Sequence, residues 1–224
     1  MKLEEYIVPE NVIPIIRNKQ VLEELPENIF YVRKEDLVVL FRIEMPTSAK
    51  EQEDLMLITE EIVNLWEMNT QEVYEIALKN MREKNDIKIY TLESIGKQMF
   101  LGTEREEFSK EVWEQLTIPF MVIGNVDCEE GAVGILDIDK LQEISEIVKE
   151  DLYILPSSIH ECLLVPKSKM NLQEAQKMVG EINILEVAPE DRLSDNIYEY
   201  SAATKEIVMA GNELRKKESV EHIR

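Results

Sequence analysis

The stretch from Leu152 to Pro166 narrows the possible folds more than any other part of this chain. Leu152 to Leu155 and Ile159 to Val165 are short runs rich in apolar residues, each of strand length. Between them stand Pro156, Ser157 and Ser158: a proline that presets φ, and two hydroxyls able to hydrogen-bond the local backbone. Strands joined by so short a link pair antiparallel, because a parallel return needs a dozen residues or more. The segment therefore predicts a hairpin, with His160 at the foot of its turn.

The same pattern extends through the second half. Phe120 to Ile123 and Ala132 to Leu136 read as a further hairpin, joined across Gly124 to Gly131. Asp137 and Asp139, the latter with Gln142, cap a helix whose inner stripe is Leu141, Ile144 and Val148. Asn171 with Glu174 opens another, carrying Ala175, Met178, Val179 and Ile182, and a last hairpin joins Asn196–Tyr200 to Ile207–Met209. Alternating hairpins and helices predict an α+β fold, a mostly antiparallel sheet built from hairpins and covered by helices.

In the first half, Pro14 restricts the run from Val12 to Ile16 to an edge strand or extended segment. Asp36 to Met45 reads as a strand buried on both faces through Leu37 to Phe41. Ser48 with Glu51 and Asn69 with Glu72 form capping boxes for two helices. The first carries Leu55, Ile58, Ile62 and Leu65, the second Val73, Ile76, Ala77 and Met81, and Trp66 between them is core. A strand from Ile87 to Leu92 follows, and Thr103 with Glu106 starts a helix bearing Phe108, Val112 and Leu116. Residues 1–213 are expected to form one α+β domain, with any subdivision falling between 86 and 118. Residues 214–224, which include Arg215-Lys216-Lys217-Glu218, form a polar C-terminal tail.

Charge is the compositional extreme. Forty-six Asp and Glu against 25 Lys and Arg leave a formal net charge of -21 in 224 residues. Such a field opposes nucleic acid and anionic lipid, whose binding depends on Lys and Arg displacing counterions. The cluster Arg215-Lys216-Lys217 is too small to reverse it. No run approaches the 18 or so apolar residues of a membrane span, and Met1-Lys2-Leu3-Glu4-Glu5 does not read as a signal peptide. Cys128 and Cys162 are expected to be reduced thiols in a cytoplasm.

The candidate chemistry is thin. Ser157, Ser158, His160 and Glu161 invite a nucleophile–base–acid reading, but on a strand His160 and Glu161 point to opposite faces. No Gly-x-Ser-x-Gly elbow presents a serine. The loop Asn125 to Gly131 departs from a calcium loop, its glycine one place late and Leu136 standing where a glutamate is needed. Two cysteines and two histidines, His160 and His222, show no zinc spacing, and no phosphate-cradling glycine motif occurs. No catalytic residue, metal ligand or cofactor is assigned. Cys162 lies in an apolar strand and reads as a small core residue.

Leu155-Pro156-Ser157-Ser158-Ile159-His160-Glu161 resembles the bacterial family catalogued as domain of unknown function 5688. The likeness continues in Val12 to Asn18, Leu22 to Pro26, Asp36 to Val39, Leu65-Trp66, Leu78-Lys79-Asn80 and Leu193 to Tyr198, and so spans residues 12–210. Members of that family tend to carry an additional N-terminal region before the Ile-Pro-Ile-Ile-Arg-Asn segment, which is expected to be missing here. The resemblance implies an intracellular bacterial protein and carries no mechanism. The functional expectation is a non-catalytic acidic protein that binds another protein, one with a basic surface, with Ser157, Ser158, His160 and Glu161 as contact residues. The alternatives are a hydrolase using Ser158 and His160, or a small ligand held at the same turn.

Overall fold

The structure, a computed structural model, describes residues 5–44, 56–126 and 129–211. The chain divides into two compact units, Met1–Ile87 and Lys88–Arg224.

The first unit is built on a three-stranded antiparallel sheet of β1 (Val12–Asn18), β2 (Tyr31–Lys34) and β3 (Leu37–Ile43), in the order β1-β3-β2. The uninterrupted apolar run Leu37 to Phe41 belongs to the central strand and is buried throughout. Pro14 has no N–H to give a ladder, and β1 is accordingly an edge. Helices α1 (Glu60–Leu65) and α2 (Thr70–Lys84) follow. The Asn69–Glu72 capping box is present in full: Asn69 Oδ1 accepts from Gln71 N and Glu72 N, and the Glu72 carboxylate accepts from Asn69 N at 2.7 Å. Asn80 of α2 donates to Pro9 O and Val12 O at 2.9 and 2.8 Å, fixing the helix against the start of β1. Trp66 Nε1 donates to Ile7 O, and Phe41 packs on Phe30 and Tyr74.

One stripe is corrected. Ile58 precedes α1 and is buried as extended chain, its N–H on Phe41 O and its carbonyl on Phe30 N, while Leu65 is exposed and Val63 faces inward. The Ser48–Glu51 capping box and Leu55 lie outside the described residues.

The second unit holds β4 (Ile87–Thr91), which starts at the division, then α3 (Leu92–Leu101), α4 (Lys110–Trp113), β5 (Met121–Asn125), α5 (Ile138–Val148), β6 (Leu152–Leu155), β7 (Glu161–Pro166), α6 (Leu172–Leu185), β8 (Tyr198–Ser201) and β9 (Glu206–Met209). The strands form one sheet in the order β4-β5-β7-β6-β8-β9. The ladders β5–β7, β6–β7, β6–β8 and β8–β9 are all antiparallel, so the molecule is α+β. Helix α6 covers a core of Leu155, Val165, Met170, Ala175, Val179 and Ile197, and α5 buries Leu141, Ile144 and Val148.

Three local expectations are overturned here. Gly131–Leu136 is a buried 3-10 helix and not a strand, and β5 pairs with β7 instead. A short apolar run without alternation fits a buried helical turn as well as a strand. The helix expected from Thr103 is only Lys110–Trp113, capped by Ser109 Oγ, and an unforeseen helix, α3, follows β4 directly with Thr91 Oγ1 as its cap. Of the two acids expected at the start of α5, Asp137 holds the N-cap position and Asp139 lies inside the first turn. No helix among the described residues is long and apolar enough to cross a membrane.

Candidate functional site

The chain between β6 and β7 does more than reverse direction. Pro156 O accepts from Ser194 N at 3.0 Å, Ser157 O from Leu193 N at 3.2 Å, and Ile159 N donates to Asp191 O at 2.9 Å, with Ser158 opposite Arg192. From the other side, Ala132 N donates to Ile159 O at 3.1 Å. The turn is therefore held between the closing segment Asp191–Ser194 and the 3-10 helix that starts at Gly131. It also places His160 in a bend ahead of β7 and not on the strand, because the ladder begins at Glu161.

Ser158 Oγ accepts from His160 N at 3.2 Å and Glu161 N at 3.4 Å, a hydroxyl closing its own turn. The His160 ring is held at both nitrogens. Nδ1 accepts from Glu130 N at 3.4 Å, and Nε2 lies 3.5 Å from Asp191 Oδ2. A ring whose Nδ1 accepts carries its neutral-form proton on Nε2, facing the carboxylate. Among the described residues no hydrogen bond joins Ser158 Oγ to this ring; the hydroxyl and the imidazole each bond elsewhere in this arrangement. What the ring does is clip the Glu130 loop to the Asp191 segment.

The Glu130 loop reaches the ring through a close backbone approach. Glu130 is left-handed at φ 55°, and a Cβ on Gly131 would lie 2.3 Å from Asn125 N and 2.7 Å from Gly124 C. Asn125 Oδ1 accepts from Glu129 N at 2.8 Å, tying the same loop at its base. Glu161 stands across from Gly124, whose missing Cβ would touch Glu161 Cβ at 3.5 Å. Glu161 is exposed by area, yet burial of its carboxyl group pushes the pKa above the ordinary range, opposed by the charges of Arg105 and His160. Cys162 is fully buried, and that burial, with the Glu161 charge, pushes its thiol far up, opposite to an activated nucleophile. Cys128 lies outside the described residues.

Ser158 and His160 are thus brought together with Asp191 and Glu130, while Ser157 contributes its carbonyl and Glu161 turns toward Gly124. Asp191 and Glu130 were not singled out in the sequence. Each lies about 30 residues from His160, and in a chain with 46 acids nothing local marks either one. A third tie has no local sequence signal: Asn183 of α6 donates to Ser194 O at 3.0 Å and to Asp195 Oδ1 at 2.6 Å. Among the described residues no group of three or more His, Cys, Asp or Glu is placed to hold a metal. Two open hollows of about 300 Å³ lie in this unit, one beside Lys167 and Asn171, the other beside Ser145 and Asp151, and neither touches the turn.

Over residues 2–202 the chain matches a family described as "Family of unknown function (DUF5688)". No curated protein and no solved structure matches it.

Proposed function

This chain belongs to that family of unknown function, and on that premise we propose that it is a non-catalytic, acidic regulatory protein that works by binding another protein with a basic surface. The carrying observation is where the acids lie. Among the described residues Asp137 is the only buried one, so the excess of negative charge faces whatever approaches. Complementary charge speeds encounter and selects partners, and it acts against nucleic acid and anionic membranes. The reading extends to a bacterial cytoplasm, with the buried thiol of Cys162 supporting a reducing compartment. The test is capture on the tagged protein from bacterial cytoplasm at low and high salt, read by mass spectrometry. A stoichiometric partner lost at high salt is expected. No partner at either salt, or one indifferent to salt, contradicts the proposal.

A hydrolase remains the second reading on one observation, the Asp191 carboxylate beside the His160 ring. It needs His160 to serve as base for Ser158 or for a more distant nucleophile. A His160→Ala protein that turns over every substrate of the wild type unchanged would remove it.

A further inference from the structure

The end of α3 runs against the usual burial of a helix's apolar face. Met99, Phe100 and Leu101 are 77%, 86% and 73% exposed. Gly96 lies one turn earlier, within the arc that Met99 and Phe100 share at 3.6 residues per turn. A Cβ at Gly96 would meet nothing within 4 Å. Bare backbone at Gly96 thus lies on the same arc of the helix as an exposed flexible thioether and an exposed phenyl ring, which leaves an apolar side chain of a partner free to approach it. The tip is held in place. Gly102 takes the left-handed conformation at φ 67°, its N–H bonded to Gln98 O, and Thr91 Oγ1 caps the other end.

The surroundings name the partner's charge. Between Lys97 and Glu114 stand five acids and three bases, and Glu104, Glu106, Glu111 and Glu114 are all exposed. Of the bases, Arg105 is drawn back onto the fold, its guanidinium 5.3 Å from the Tyr90 ring centroid and its Nε on Gln98. A second copy would bring -21 against -21, and an anionic bilayer would be repelled in the same way. We propose, resting on the protein-binding reading above, that Gly96, Met99, Phe100 and Leu101 are the apolar anchor of the interface. The partner is a protein that presents a large apolar side chain beside Lys or Arg. A weaker version of the feature lies on α6, where open Gly180 precedes Ile184, 74% exposed, without an aromatic. It serves as the control.

The test uses the full chain and phage-displayed peptides as the probe. Selected peptides should combine Lys or Arg with a large apolar residue. Phe100→Asp and Gly96→Gln should each weaken them by roughly tenfold or more, while Ile184→Asp stays within about twofold. Gly96→Gln adds a better helix former to open space, so its melting temperature should be no lower than wild type, and lost binding cannot then be ascribed to misfolding. Peptides that bind Phe100→Asp and Gly96→Gln like wild type overturn the anchor. If those same peptides are lost when Glu104, Glu106, Glu111 and Glu114 are changed to Gln, the acidic binding reading stands without it. If that variant also binds unchanged, both fall. A dimer in sedimentation velocity, or flotation with phosphatidylcholine vesicles, that Phe100→Asp abolishes would assign the patch to a second copy or a bilayer, and would overturn the basic partner.

Discussion

Gly131 and Glu161 mark the two ways a single residue serves the junction around His160. At Gly131 the neighbours within 2.3 to 2.7 Å of an added Cβ are backbone atoms of Asn125 and Gly124, which cannot rotate away. Gly131→Ala should cost about 2–3 kcal/mol, the range of core overpacking, seen as a lower urea midpoint at unchanged slope. A loss under about 0.5 kcal/mol would mean that the loop is held less tightly than described. At Glu161 the folded pKa is raised above its unfolded value, so the ionised carboxylate costs stability as pH rises through the carboxylate range. Glu161→Gln should therefore raise the melting temperature at pH 7, and the gain should vanish in acid, below the unfolded pKa, where wild type is protonated in both states. An equal gain at both pH values would assign the effect to packing. His160 itself was legible as the unusual residue of its segment. Its partners were not, because Glu130 and Asp191 reach it only through the fold of the second unit.

Elements whose signals are local were legible. The capping boxes at Asn69 with Glu72 and at Asn171 with Glu174 close within three residues and form as the spacing requires. Thr103 with Glu106 and Asp139 with Gln142 have the same spacing and cap no helix. The β6–β7 and β8–β9 hairpins also follow from short links between strand-like runs. Failures came where the decisive contact is distant. Gly131–Leu136 is buried against β5 and β7, and that environment, not its composition, sets its conformation. Helix α3 has no helical signature in the sequence because its apolar residues gather at an exposed tip and leave no inward stripe. For α6, Asn171→Ala should cost about 1 kcal/mol by removing the acceptor for Glu174 N. The loss should be small in Glu174→Ala, which breaks only the return bond to Asn171 N, 3.1 Å away. Equal losses in the two single variants would contradict that division.

At the scale of the whole molecule, the sequence carries a net charge of -21, the fold is α+β, and among the described residues every acid but Asp137 is at least partly exposed. The central claim is that this field is used for binding. It is tested most directly by titrating the captured partner against wild type and against the variant with Glu104, Glu106, Glu111 and Glu114 changed to Gln, over a range of salt. Screening shortens the reach of exposed charges from about 10 Å at 0.1 M to about 3 Å at 1 M. Wild-type affinity should fall steeply with salt, and the variant's should be weaker at low salt and much flatter, with melting temperatures unchanged within error. Parallel salt dependences for the two proteins would contradict the account.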